Sequence, residues 1–295
     1  MEHLLKIISK PDNIPIVLML ALTVFYTWFS LAKALKNDRQ GTSEEAKMSD
    51  KVQVWPYLVK VEFLAALLVM VILTFWSFGL DAPLEEPANP SLTPNPSKAP
   101  WYFLGLQEIL VYFDPWIAGV TIPTLIIVGL SAIPYIDINP KGNGYYTFKE
   151  RKFAIVTFCF GFLVLWVSLI VLGTFLRGPG WNLFMPWEEW DTHRVVALTN
   201  VDFSEFFFGV STRRVDDSLN PTAMLIGSAT VLIWFSLGAV FYVWKKNTDF
   251  MKKLGVLRYS IVSFLFLTMM SLPVKIILRI ALNIKYILVT PWFNI

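Results

Sequence analysis

Two carboxylates, Glu108 and Asp114, are set apart by their surroundings. They lie within and just after the stretch Trp101–Phe113, an apolar run far too short to cross a membrane. A carboxylate on a short apolar helix is desolvated, which raises its pKa and suits it to take up a proton near neutrality. Glu108 follows Trp101 by seven residues, two helical turns, so the two share nearly one face. The competing expectation is that Glu108 pairs with a basic group of a partner subunit or points to water. Asp114 is the weaker candidate, because Asp114-Pro115 also reads as a turn before the next helix. Pro100, Trp101, Tyr102 and Phe103 open the same stretch and offer an apolar slot with one phenol able to hydrogen-bond. Their other reading is interfacial anchoring, since Trp and Tyr favour that depth.

These residues need a support that holds them at a membrane surface. Ahead of them, prolines at 83, 87, 90, 94, 96 and 100 make a stiff, non-helical excursion. Pro100 stands where a helix can start, because its missing N–H would be unpaired there anyway. The chain has 295 residues, 55% hydrophobic and only 16% charged, whereas a soluble domain carries about 25% charge. Six stretches are long and apolar enough to span: Ile14–Leu35, Phe63–Leu80, Trp116–Pro134, Phe153–Leu176, Thr222–Trp244 and Leu257–Ala281. The expected fold is therefore an all-α integral membrane protein with about six transmembrane helices and one short interfacial helix after the Pro-rich loop.

Segments 36–60, 136–152 and 245–258 hold five, four and five basic residues. With six spans all three fall on one side, which the positive-inside rule makes cytoplasmic. The loops 79–100 and 177–221, and both termini, then face the periplasm, and the expected location is a bacterial inner membrane. Lys275 and Arg279, one turn apart near the end of the last span, are expected to snorkel toward lipid headgroups or to pair with a neighbouring subunit. Three regions are expected: 1–51, an anchor helix and charged loop; 52–176, the block carrying the candidate site; and 177–295, an aromatic periplasmic loop with two further spans.

Within the middle block the order of residues is specific. Glu86-Pro-Ala-Asn-Pro90, Thr93-Pro94 and Ala99-Pro-Trp-Tyr-Phe103 lie between two apolar spans, and Ile133-Pro-Tyr-Ile-Asp137 and a basic turn follow. Residues 52–176 thereby resemble the C-terminal part of cytochrome b, in the split form called subunit IV of b6f-type complexes. That family carries a Glu-Pro-Ala-x-Pro…Thr-Pro…Pro-Glu-Trp-Tyr-Phe pattern in the same place. The resemblance implies a subunit of a quinol:cytochrome c oxidoreductase, with this loop and helix walling the quinol-oxidation site on the positive side of the membrane. It implies menaquinol or ubiquinol as substrate. It also implies b haems and a Rieske iron–sulfur cluster on partner subunits, a c-type cytochrome as a further partner, and proton release to the periplasm. This chain departs from the pattern where the family has Glu before Trp-Tyr: Pro100 occupies that position. Glu108 is the substitute proton acceptor this leaves, with Asp114 behind it.

Several functions are excluded or reduced. His3 and His193 are the only histidines, and neither lies in an apolar span, so the four axial ligands of two b haems must come from a haem-binding cytochrome b N-terminal-type subunit. The single Cys159 permits neither an internal disulfide nor a cysteine-ligated cluster. No protein-bound metal is expected. A net charge of +3 gives no footprint for nucleic acid, and membrane lipid is the expected surrounding. The alternative from another class is a membrane anchor and quinol-binding subunit of a different respiratory complex.

Overall fold

In the computed structural model the described residues are 2–11, 13–40, 52–81, 87–138, 146–194, 196 and 200–295. About 70% of the described residues are helical, and among them only isolated β-bridges link extended segments. The helices are α1 (Glu2–Ile8), α2 (Ile14–Gln40), α3 (Val54–Gly79), α4 (Trp101–Ile109), α5 (Ile117–Ile136), α6 (Phe148–Leu176), α7 (Phe203–Phe208), α8 (Pro221–Lys245) and α9 (Asp249–Leu282). Six of them, α2, α3, α5, α6, α8 and α9, are long and apolar enough to cross a membrane. This is the all-α membrane architecture expected from composition. The expected span starts and ends differ from the helices mainly where polar residues extend a helix beyond its apolar part, as at the end of α2. In α9, Gly255 adopts φ 74°, a value open to glycine, and breaks the helix between a charged first part and the apolar remainder.

The chain forms two compact units: residues 1–25, 95–140 and 152–295, and residues 26–94 and 141–151. In the second unit, Asp38 accepts hydrogen bonds from the backbone N–H groups of Phe148 and Lys149, both at 3.0 Å. Asn37 donates to the Tyr146 carbonyl at 3.0 Å. These contacts serve backbone groups at the N-terminal end of α6 that have no partner within the helix. The span α3 in this unit buries none of its residues within the chain.

In the first unit, α4 lies across the C-terminal half of α6. The close crossing depends on two glycines. A Cβ on Gly105 would meet the Trp166 ring at 3.3 Å, and one on Gly173 would meet the Leu104 carbonyl oxygen at 3.4 Å. Around this crossing Ile109, Tyr112, Phe113, Ala118 and Leu169 form the main buried cluster, with Leu272 and Ile276 of α9 against it. A second cluster joins Ile7, Ile16 and Phe175, so α1 and the start of α2 cover the end of α6.

Lys275 and Arg279 differ from the sequence expectation. Both are buried, at 1% and 8% exposure, and they do not snorkel outward. Lys275 donates to the Lys285 carbonyl at 2.5 Å, and Arg279 donates to the Asn283 carbonyl at 3.2 Å. The chain turns back after α9 at Asn283 (φ 55°), and its returning carbonyls reach these cations before a headgroup could. Both accepting carbonyls lie beyond the helix end at Leu282, so the bonds give two buried cations the polar partners that burial requires.

Candidate functional site

Helix α4 is built from a stretch with few internal reasons to be helical beyond its start. Pro100 is its N-cap residue, with extended ψ 148°. The Gln107 side chain reaches back along the helix: its Oε1 accepts from Ala99 N–H at 2.8 Å, and its Nε2 donates to the Ser97 carbonyl at 2.9 Å. One glutamine thus ties the end of the Pro-rich loop to the helix that follows. Asn95 adds a second tie, accepting from Gly180 N–H at 2.6 Å.

The two faces of α4 carry different chemistry. Leu104, Gly105, Glu108 and Ile109 are buried against the chain. Tyr102 and Phe103 are each 52% exposed on the outward face, Leu110 is exposed with them, and Trp101 is 38% exposed at the helix start. Tyr102 and Phe103 rings stand 4.7 Å apart, continuing an aromatic contact from Trp101 to Tyr102 at 5.7 Å. The outward face is an apolar, aromatic wall with one phenol.

Glu108 is fully buried and bound to a basic group of its own chain. Arg177, at the end of α6, donates from Nε to Oε2 at 3.0 Å and to Oε1 at 3.2 Å, and from Nη2 to Oε1 at 2.7 Å. Tyr112 donates its hydroxyl to Oε1 at 2.8 Å, one turn along from Glu108. The remaining arm of Arg177, Nη1, donates to the Trp181 carbonyl at 3.0 Å. The guanidinium fork suits this task because it is planar and can engage both carboxylate oxygens while still reaching a third acceptor. Burial works against the Arg177 charge, but hydrogen bonding and attraction from Glu108 outweigh it and hold the guanidinium's pKa above its usual value. Burial, then the nearby Glu108 charge, pushes the Tyr112 phenol well above its ordinary range, so it remains a donor.

Lys98 is the fourth ionisable group brought here. Its Nζ donates to the Thr174 carbonyl at 2.8 Å and stands 4.7 Å from the centroid of the Trp190 ring. It therefore closes one of the last carbonyls of α6 with a cation. Burial, and next the like charge of Lys10, lower its pKa to about 8 against an opposing pull from Glu108.

Asp114 has a different setting. Its Oδ1 accepts from Trp116 N–H at 3.0 Å, a turn that leads into α5, and its Oδ2 accepts from the Asn294 side chain at 3.1 Å. Among the described residues no group of His, Cys, Asp and Glu has the spacing of a metal site. His193 lies exposed in the loop after α6, outside the apolar spans.

Glu108, Tyr112, Arg177 and Lys98 thus lie behind the wall of Tyr102 and Phe103; Trp101, two turns before Glu108 and expected on its face, is part-exposed at the helix start while Glu108 is buried. Sequence reasoning named Glu108 but gave Arg177 no role beyond opening the aromatic loop 177–221. The available signal was an arginine at the end of a long apolar span, where an unpaired charge would be costly.

Residues 87–176 match the family model described as cytochrome b(C-terminal)/b6/petD. The match begins inside the Pro-rich loop, later than the expected residue 52, and ends one residue before Arg177. No solved structure matches the chain. The matched segment is cytochrome b C-terminal-like and supports a subunit of a bc-type redox complex in a membrane.

Proposed function

We propose that the chain is a non-haem subunit of a quinol:cytochrome c oxidoreductase of bc type, and that α4 forms one wall of its quinol-oxidation site on the positive side of the membrane. The observation that carries this reading is the split of α4 within the matched segment: an outward aromatic wall and, directly behind it, a buried carboxylate with two fixed donors. The outward face of Trp101, Tyr102 and Phe103 receives the flat quinol ring and its isoprenoid tail. Pro100 fixes where that face begins.

Oxidation of one quinol releases two electrons and two protons. The electrons leave for acceptors on partner subunits, a Rieske protein and a haem-binding cytochrome b half, with a c-type cytochrome downstream. This chain's share is to bind, orient and take one proton. Glu108 accepts that proton from a quinol hydroxyl when its side chain turns from Arg177 toward the wall, and Arg177 and Tyr112 draw it back afterwards. Asp114 is committed to the α5 turn and is the secondary acceptor. The second proton leaves by a route that does not use this residue.

The test is purification of the tagged chain in mild detergent with its complex, read by reduced-minus-oxidised spectra and by quinol:cytochrome c activity. With Glu108→Gln, b-haem absorbance should still co-purify, while turnover falls on the order of 10²-fold, the scale of a lost general base. Unchanged turnover would remove Glu108 from the mechanism and leave the wall to be tested by Phe103→Ala. A stable preparation without b haem would defeat the assignment to this class of complex.

A further inference from the structure

The loop between α6 and α8 carries a feature that the quinol reading does not use. Helix α7 has four phenylalanines in six residues, Phe203-Ser-Glu-Phe-Phe-Phe208. Phe206, Phe207 and Phe208 are 45%, 51% and 60% exposed, within a loop otherwise rich in charge. The rings pack on one another, Phe203 to Phe207 at 4.8 Å and Phe206 to Phe207 at 5.0 Å, so they form one patch.

The depth of this patch follows from its attachments. Phe203 N–H donates to the Tyr286 carbonyl at 2.8 Å, and Lys285 N–H donates to the Val201 carbonyl at 2.9 Å. The strand of chain after α9 therefore carries the start of α7. That same strand crosses α8 at Gly227, where an added Cβ would lie 2.5 Å from the Ile287 carbonyl oxygen and 2.9 Å from the Leu288 Cα. Gly227 lies about 9 Å beyond Pro221 along the helix at 1.5 Å per residue. A helix of 25 residues is about 37 Å long and exceeds a 30 Å hydrocarbon core by only a few Å at each end. Gly227 is thus inside the edge of the hydrocarbon, and α7 is fastened to chain at that level.

We propose that α7 is seated in the boundary between headgroups and acyl chains, with Phe206, Phe207 and Phe208 in contact with membrane lipid. Three observations favour lipid as the occupant. Helix α7 packs against α8, a span on which Leu225, Leu232 and Ile233 are strongly exposed. Its rings lack any polar group, unlike a site that must register a specific partner by hydrogen bonds. Directly after Gly209 (φ 65°) the chain turns into a hairpin held by the Arg213–Asp217 pair at 2.9 Å, which returns it to water before α8 begins. A short apolar wedge followed by a charged hairpin, with Arg213, Arg214, Asp216 and Asp217, fits a surface lying in the interface plane.

The test uses the complex in its native membrane, with p-benzoylphenylalanine in place of Phe207 or, separately, of Phe208. The same residue in place of Val215, fully exposed on the charged hairpin, is the aqueous control. After irradiation, mass spectrometry of the chain should show phospholipid or acyl-chain adducts at both Phe positions and none at 215. Adducts to another polypeptide at 207 and 208 would mean that the patch is a subunit interface. Lipid adducts no more abundant than at 215 would place it in water. Either result overturns the proposal, and neither depends on quinol oxidation.

Discussion

At the scale of single residues, the Glu108–Arg177 pair decides how the site behaves. Two charges removed from water lose hydration that their attraction only partly restores, so such a pair adds little net stability, yet breaking it is costly. Replacing Glu108 by Leu alone, or Arg177 by Met alone, should cost about 3–5 kcal/mol by leaving a buried charge unmatched. The double replacement should cost clearly less than the sum, because both charges then leave together. Thermal midpoints of the purified complex in the four states of this cycle measure it, and simple additivity would show that the two groups are not energetically paired. Lys98 makes a second prediction, with its sign set by its pKa. The folded-state value is lowered to about 8 from 10.5, so between those values the unfolded chain holds a proton that the folded chain has released. Stability therefore rises with pH across that window, and the penalty is fully present below it. Lys98→Met should flatten this rise relative to the unaltered protein, and parallel profiles would mean that Lys98 titrates normally.

Among the elements, the crossing of α4 and α6 positions everything else. The wall, the carboxylate and the arginine come together because Gly173 lets the α4 backbone approach at Leu104 and Gly105 leaves room for the Trp166 ring. Gly105→Val should push α4 away from Trp166 at a cost of about 1–3 kcal/mol, with KM for quinol rising more than assembly is lost. Gly119→Val is the control, since nothing lies within 4 Å of that position. Equal effects of the two changes would mean that the crossing is not what orients the wall. The elements themselves were readable: long apolar runs located all six spans, and the prolines located the start of α4. The pairing of Glu108 with Arg177 was not, because 69 residues separate the two and only the glycine crossing brings them together. The burial of Lys275 and Arg279 escaped for a similar reason. Sequence shows basic residues near a helix end, but the chain that folds back from Asn283 to occupy them lies beyond the helix and has no periodicity to announce it.

For the whole molecule, the arrangement of spans commits the site to one side of the membrane. Residues 101–114 and 177–220 must share a side if α5 and α6 both cross, since two crossings return the chain to where it began. The turn 246–248 between α8 and α9 must then lie opposite, and its neighbours Lys245, Lys246, Lys252 and Lys253 give that side the excess of basic charge expected of a cytoplasmic face. A quinol site that sheds protons on the positive side requires this orientation. After Cys159→Ala removes the only native thiol, Ser211→Cys should react with an impermeant maleimide in intact cells. Lys246→Cys should react only after permeabilisation. Labelling of both from one side would mean that α8 does not cross and that the hairpin 211–220 shares a compartment with the basic turn. Reversal of the two would keep the six spans but put α4 on the negative side, where the wall could not serve quinol oxidation. The measurement therefore tests the fold and the function separately, since crossing and orientation fail in different ways.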